Sequence, residues 1–392
     1  MLATFCFMSS NMLANPIVAG YAESLGADGM LMGAVAGSMS FISLFCRPIA
    51  GNLSDKTSKR TLVAVGTVLY FAAGLLYYFA NSPIMLIMAR VINGVGFACC
   101  SVCLATWMSL LLPIRHMGAG MGLYGTMNAL AMAVGPALGI RAQKYIGYRL
   151  TFLSSLVLAV IMLLATLMVK NGGQPVRKKQ TSITESPSTA VDIDGSASAT
   201  KKHRFSIRSI LEPRVVPLSL TFMMFAIAYF ANQSFIVSYV QSRHLPVSSD
   251  LFFMFYAVAL LVLRLGLRDL FDSKGFRFWL TVCSLGMLAM LACMTFLFND
   301  WMLLLAAIFT AVGYGLMSSV TQAQAVVIAG RERSGIANST YYAGIDLGMS
   351  VGPFVGGLVY GHLPAVWFYP VFMLAMPVAW LIYLLCVKRV SR

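Results

Sequence analysis

The chain is built from apolar runs of about 20 residues separated by polar connections. A helix rises 1.5 Å per residue, so about 20 apolar residues cross the roughly 30 Å hydrocarbon core of a bilayer. Of the 392 residues, 59% are hydrophobic and only 10% are charged, against roughly 25% charged in soluble domains. The runs lack the alternation of a transmembrane β-barrel. The sequence therefore predicts an all-α integral membrane protein.

Twelve such runs can be distinguished, and most connections between them are short. The first six cover about residues 2–22, 29–48, 61–80, 84–106, 118–140 and 150–169. The last six cover about 214–240, 249–267, 278–298, 301–329, 335–359 and 364–387. We predict an N-terminal six-helix bundle (1–169), a flexible cytoplasmic linker (170–213) and a C-terminal six-helix bundle (214–392). The linker is rich in Ser and Thr, and its basic ends are expected to contact anionic membrane lipids.

The basic residues predict the orientation of the chain, because Lys and Arg concentrate in cytoplasmic loops. There are 28 Lys and Arg against 13 Asp and Glu. Placing both termini in the cytoplasm puts 23 of the 28 basic residues on that side or at its membrane edge. We therefore predict a multi-pass protein of the cytoplasmic (inner) membrane with both termini inside. Orientation accounts for the positive charge, so nucleic-acid binding is not indicated.

Other functional classes find little support in the sequence. The eight cysteines lie in or beside apolar runs, where cysteine behaves as a small hydrophobe. Cys100 and Cys103 have metal-ligand spacing, but no His, Asp or Glu lies nearby to complete a site. The runs contain no cluster of catalytic groups, and a phosphate-binding Gly-x4-Gly-Lys motif is absent. We predict no metal, no cofactor and no enzymatic activity, and we expect a monomer.

The two halves of the chain repeat at a constant offset of 217 residues. The matched positions include Arg47 with Arg264, Asp55 with Asp272, Gly135 with Gly352, and Pro136 with Pro353. An even number of runs separates the copies, so both halves have the same topology. Such halves are related by an axis along the membrane normal, as in two-half secondary transporters.

Three motifs accompany this repeat: the loop 51–60, the Arg-Val-Ile-Asn-Gly stretch 90–94, and the glycine-rich fifth run. Together they resemble the signatures of the major facilitator superfamily, over essentially the whole chain. The loop departs from the family pattern at Lys56 and Ser58. The resemblance implies two pseudo-symmetric six-helix bundles and transport by alternating access. The fifth run is similar to that of the twelve-span, proton-coupled efflux branch, which comprises drug or metabolite:proton antiporters.

In the resembled family, the loop after the second helix is a conformational lock that steadies the outward-open state. A carboxylate at the membrane surface can accept charge-assisted hydrogen bonds and cap a helix N terminus. The predicted lock residues are Gly51, Asp55, Lys59, Arg60, Arg47, Asp272 and Arg264. The alternative is a tight cytoplasmic turn with solvated charges.

The Gly-Pro pairs predict bent helices at the contact between the halves. Proline removes a backbone hydrogen bond, and glycine lets helices approach closely. The predicted kink residues are Gly135, Pro136, Gly352 and Pro353. A purely structural kink, without any meaning for transport, is the alternative.

Two ionisable residues lie well inside predicted spans, Arg90 in the fourth and Asp346 in the eleventh. Ionisable groups at membrane depth are functional candidates. Burial favours the neutral form of a carboxylic acid, so Asp346 is predicted to bind the coupling proton, with Glu23 as the reserve candidate. The alternative is a structural acid bonded to nearby hydrogen donors.

In the resembled fold, the first, fourth, seventh and tenth helices line a central cavity. The predicted cavity residues are Arg90, Asn11, Asn15, Asn93, Tyr229, Asn232, Gln233, Tyr314 and Gln322. For Arg90, structural pairing inside the N-terminal half is the alternative to contact with substrate. Amides at membrane depth need partners, so some of these residues are expected to bond between helices.

These observations predict a secondary active transporter that moves a small organic solute by proton-coupled efflux. The alternative is a proton-coupled importer of a sugar, carboxylate or siderophore-type solute on the same fold. The predicted partners are a small-molecule substrate, protons and membrane lipids.

Overall fold

A computed structural model describes residues 1–112, 117–169, 173, 211–267, 270, 274–330 and 334–390. These residues are almost entirely helical and contain no β-strand. The helices are α1 (Leu2–Ser24), α2 (Gly29–Lys56), α3 (Lys59–Phe79), α4 (Pro83–Leu111), α5 (Met117–Leu167), α6 (Val216–Ser242), α7 (Ser249–Gly266), α8 (Phe276–Thr295), α9 (Asp300–Thr310), α10 (Met317–Ala329), α11 (Ser334–His362), α12 (Phe368–Met373) and α13 (Ala375–Val390). Most of the predicted linker lies outside the described residues, so the division into two bundles and a linker stays a prediction.

Ten helices in the described part of the chain are long and apolar enough to cross a membrane. One of them, α5, covers both the fifth and the sixth predicted spans. It is interrupted at Gly147, where φ is 77° and ψ is 173°, a conformation that glycine adopts readily. The 18-residue α7 covers the eighth predicted span. The all-α membrane fold is confirmed, and the number of twelve helices stays a prediction.

Polar side chains set several helix starts. The Asp28 carboxylate accepts a hydrogen bond from the Leu31 amide at 2.8 Å, and the Asn299 side chain accepts one from the Met302 amide at 2.9 Å. Both satisfy backbone donors that a helix N terminus leaves unpaired. Between α9 and α10 the helix continues as a π-helical segment, Ala311–Leu316. The equivalent residues of the first half lie in the uninterrupted α4.

Helices that precede the predicted linker pack against helices that follow it, most extensively α2 against α11. We refer to α1–α5 as the N half and to α6–α13 as the C half. In the N half α1 packs on α5, and α2 and α3 pack on α4; in the C half α6 packs on α11 and α13. Between the halves, α2 contacts α11 and α5 contacts α7. A Cβ atom added to Gly357 would lie 2.7 Å from the Cα of Gly33, so glycine lets these two backbones touch.

The two membrane faces differ in the connections that they carry. We call the face with the α1–α2 connection, residues 25–28, the hairpin face. The opposite face, with residues 57–58 and 211–215, is the linker face. At the hairpin face the halves are in contact, because the Tyr360 hydroxyl of α11 donates a hydrogen bond to the Glu23 carboxylate of α1 at 3.2 Å.

Candidate functional site

The Asp346 carboxylate of α11 forms an ion pair with the Arg47 guanidinium of α2, across the contact between the halves. The Nη2 of Arg47 donates a hydrogen bond to Oδ1 of Asp346 at 3.0 Å, and Nε lies beside Oδ2. The side chain of Asp346 is 2% exposed and that of Arg47 is 21% exposed. Two nitrogens of one guanidinium thus face the two oxygens of one carboxylate, which is the strong form of this interaction.

Aromatic rings flank the Arg47 guanidinium. Its central carbon lies 5.5 Å from the ring centroid of Phe97 and 5.9 Å from that of Tyr342, within the range of cation–π attraction. On the C-half side, Gln322 of α10 donates a hydrogen bond to the Asn338 side chain at 3.2 Å. Residues of α2, α4, α10 and α11 therefore form one polar and aromatic region around the ion pair.

Arg90 is held entirely within the N half. Its Nη1 donates to the Asn15 side-chain oxygen at 3.0 Å, its Nε donates to the Val35 carbonyl at 3.2 Å, and its Nη2 donates to the Ala36 carbonyl. The residue is 2% exposed. Because all three nitrogens bond to α1 and α2, the structure favours the alternative of structural pairing over contact with substrate.

The other predicted cavity residues are mostly buried in this conformation. The buried members are Asn11, Asn15, Asn93, Tyr229, Asn232, Gln233 and Tyr314. The Tyr70 hydroxyl donates to Asn11 at 3.4 Å, and the Tyr369 hydroxyl donates to Asn232 at 2.9 Å. These bonds join helices, as expected for amides at membrane depth, and in both cases the amide oxygen is the acceptor.

The described members of the predicted lock make separate contacts. The Lys59 amide donates to the Gly173 carbonyl at 3.0 Å, and the Arg60 guanidinium donates to the Leu167 and Val169 carbonyls. Arg60 thus bonds to the C-terminal end of α5, where carbonyls lack helical partners. Outside the backbone of its own helix, no atom of the described residues lies within 4 Å of a Cβ atom added to Gly51.

Two acids of the predicted lock cannot be placed. The side chain of Asp55 and the whole of Asp272 lie outside the described residues, so the lock stays a prediction. Arg47, which the sequence assigns to the lock, pairs with Asp346 instead. Its repeat partner Arg264 lies in the C half, near the hydroxyls of Tyr256 and Tyr341.

The Gly-Pro pairs lie mainly inside the halves, which differs from the predicted position between them. A Cβ atom on Gly135 would lie 2.8 Å from the Cβ of Met12 in α1, and one on Gly352 would lie 3.2 Å from the Ala231 nitrogen in α6. Only the carbonyl of Pro353, 2.6 Å from a Cβ atom built on Gly33, reaches the contact between α2 and α11. Each glycine is required where two helices of the same half cross closely.

Sequence reasoning missed the partner of Asp346. The two residues are 299 positions apart, and hydropathy does not show which helix faces which. The available signal was charge, because Arg47 and Asp346 carry opposite charges within or at the edge of apolar runs.

The fold and this site define a class: a multi-pass helical membrane protein whose two halves meet at a buried ion pair, as in secondary transporters. Residues 1–300 and 275–392 match the family profile described as the Major Facilitator Superfamily. The chain therefore belongs to the major facilitator superfamily and is a membrane transporter of that type.

Relatives and solved structures agree with this assignment. An uncharacterized MFS-type transporter of Methanocaldococcus jannaschii is 23% identical over 366 residues, which cover 92% of this chain and 89% of that protein. An SPX domain-containing membrane protein of Arabidopsis thaliana is 32% identical over 169 residues, 42% of this chain and 24% of that protein. A POT family transporter in complex with 5-aminolevulinic acid superimposes with a TM-score of 0.75 at 10% identity, covering 100% of this chain and 96% of that one. A nucleoside transporter superimposes with a TM-score of 0.71 at 13% identity, covering 98% of both chains. At these identities the two structures show a shared fold.

Proposed function

We propose that the chain is a proton-coupled exporter of a small organic solute in the cytoplasmic membrane, and that Asp346 binds the coupling proton. The observation that supports this most directly is the ion pair of Asp346 with Arg47. It joins α2 to α11, and it places a titratable group at the contact that must change in alternating access.

In this proposal a proton and Arg47 compete for the same carboxylate. Protonated Asp346 no longer neutralises the guanidinium, so the attraction between α2 and α11 weakens. Removing one partner of a buried ion pair costs about 3–5 kcal/mol. Moving a two-state equilibrium from 1:99 to 99:1 takes about 5.5 kcal/mol. One proton at Asp346 can therefore supply most of the energy that a change of conformation requires.

The proposed direction of transport rests on the resemblance of the glycine-rich fifth run to that of antiporters. The contacts of Lys59 with Gly173 and of Arg60 with Leu167 and Val169 link the predicted lock to the predicted linker, on the side that charge predicts to be cytoplasmic. Glu23 is less suited to bind the proton, because it is exposed at the hairpin face and already accepts a hydrogen bond from Tyr360.

The test has two stages. Metabolite profiling of cells with and without the protein identifies a solute whose internal level falls and whose external level rises when the protein is present. Inverted vesicles are then given a pH gradient, acidic inside, and uptake of that solute is measured. We expect the wild type to accumulate the solute, and Asp346→Asn to exchange it without accumulation.

The matched control is Asp250→Asn, which removes a carboxylate at the hairpin face, away from the ion pair. It should accumulate the solute as the wild type does. Full pH-driven accumulation by Asp346→Asn would refute the assignment of the proton site. Accumulation with the opposite gradient would favour the importer of a sugar, carboxylate or siderophore-type solute.

A further inference from the structure

The repeat keeps an arginine in both halves but keeps its acid partner in only one. Arg47 of α2 matches Arg264 of α7 at the offset of 217 residues, whereas the same offset places Asp346 on Ala129 of α5. The contact of α5 with α7 is the counterpart of the contact of α2 with α11. In one of these contacts the arginine is neutralised, and in the other the position that corresponds to the acid is an alanine.

Arg264 is accordingly left without a negative partner among the residues that the structure describes. The ion pair found there is that of Arg47 with Asp346. The Nε of Arg264 is buried, and no hydrogen-bond acceptor among described residues reaches it. A buried guanidinium nitrogen without a hydrogen-bond acceptor is costly. Its presence there points to an anion that is not part of the described chain.

The neighbours of Arg264 provide hydroxyl groups and aromatic faces. Tyr256, Tyr314 and Tyr341 all lie within electrostatic range of its guanidinium. The rings of Tyr229 and Tyr314 stack with centroids 4.0 Å apart at an interplanar angle of 2°. Hydroxyl donors beside a guanidinium suit a carboxylate or phosphate group, and the rings suit the apolar part of the same molecule.

The backbone is irregular at the same place. Tyr314 belongs to the π-helical segment Ala311–Leu316, whose counterpart in α4 is regular α-helix. Single turns of π-helix occur frequently at functional sites. The π segment, the alanine at position 129 of the facing N-half helix and the lack of an ion-pair partner for Arg264 among the described residues are three departures from pseudo-symmetry.

We propose that Arg264 binds the anionic group of the transported solute, and that the solute is an organic carboxylate or phosphate whose apolar part lies against the tyrosines. This rests on the transport function proposed above and adds the substrate class to it. It also gives the two arginines of the repeat different roles, since Arg47 holds the coupling carboxylate and Arg264 holds the substrate.

The test measures ligand binding to the purified full-length protein in detergent, so it does not depend on transport. Thermal unfolding is followed with benzoate, phenyl phosphate and succinate, each beside its uncharged counterpart benzamide, benzyl alcohol or succinamide. Ligands that bind only the folded state raise the unfolding temperature as their concentration increases. We expect at least one anion, and none of the uncharged compounds, to do so.

Variants then locate the effect. Arg264→Gln should weaken anion binding about tenfold or more, and Arg264→Lys should retain part of it. Ala129→Asp should also weaken it, because it supplies the carboxylate that the repeat lacks. Arg243→Gln, at the hairpin face, is the control for loss of a positive charge and should bind as the wild type does.

The proposal is overturned if no anion stabilises the wild type, or if Arg264→Gln or Ala129→Asp binds the anion with unchanged affinity. If Arg264→Gln does not fold, the proposal is still tested by the series of ligands with the wild type and by anion binding to Arg264→Lys. Absence of anion binding would leave proton coupling at Asp346 untouched. If transport in vesicles proves not to be coupled to protons, anion binding to the protein in detergent can still be measured. The proposal for Asp346 and the proposal for Arg264 can therefore fail independently.

Discussion

At the scale of single residues, the Arg47–Asp346 pair leads to a prediction about stability. Arg47→Met leaves a buried carboxylate without a partner, and Asp346→Leu leaves a guanidinium without one. Each single change should cost about 3–5 kcal/mol, whereas the double change places two apolar side chains together and should recover most of that loss. Unfolding of the four proteins in detergent, combined as a double-mutant cycle, measures the coupling.

The control for this cycle is Arg149→Met. Arg149 donates to the Asn81 side chain at 2.8 Å in an exposed position, where such contacts contribute less than about 1 kcal/mol. It should change stability little. If the losses at Arg47 and Asp346 simply add in the double variant, the two groups do not stabilise each other in the way that their distance indicates.

Single residues also show where sequence reasoning is strong and where it fails. Asp346 could be identified from the sequence, because an acid in a long apolar run is rare for a physical reason. Its partner could not, because the facing of one helix toward another is a tertiary property. Arg90 illustrates the same point: its depth in the membrane was predictable, but its bonds to carbonyls of α2 depend on how closely α2 and α4 pack.

At the scale of helices, α5 and the π segment were only partly predictable. The hydropathy of the sequence predicts that the fifth span ends near residue 140 and that the sixth begins near residue 150. In the structure, helix continues through the polar residues between them and is broken only at Gly147. The π segment Ala311–Leu316 had no sequence signal, since a shift from i→i+4 to i→i+5 bonding depends on the helices that surround it.

The glycine contact between α2 and α11 leads to a prediction about conformation. A Cβ atom on Gly357 would lie 2.7 Å from the Cα of Gly33, so Gly357→Val should force the two helices apart at the hairpin face. Spin labels at Ser24→Cys and Leu363→Cys, which flank this contact, should move apart by several Å. Transport should fall, because the state closed at this face becomes inaccessible.

Gly125→Ala is the matched control for that experiment. Gly125 also lies within a helix, but nothing lies within 4 Å of an added Cβ atom. The label distance and the transport rate should both stay at wild-type values. An unchanged distance in Gly357→Val would mean that the contact of α2 with α11 does not hold this face closed.

At the scale of the whole molecule, the fold was predictable because the bilayer leaves few choices. A segment in lipid must satisfy every backbone hydrogen bond internally, so a long apolar run becomes a helix. The internal repeat, whose matched positions are 217 residues apart, then indicates two halves of equal topology. The arrangement of side chains within the halves was less predictable. Lipid-facing and buried positions are both apolar, so a helix that is apolar all round does not reveal which side faces its neighbours.

The orientation of the whole molecule is the remaining prediction, and it follows from charge. Even without the linker, 14 basic residues lie on the predicted cytoplasmic side against 4 on the other, and positive loops resist translocation. Lys144→Cys, at the hairpin face, should react with a membrane-impermeant maleimide in intact cells. Thr181→Cys, in the linker, should react only in inverted vesicles, with the unsubstituted chain giving the background of the native cysteines. Labelling of Thr181→Cys in intact cells would show that the orientation is the opposite of the predicted one. The proposed direction of transport, in which protons bound at Asp346 drive the solute outward, would then be reversed as well.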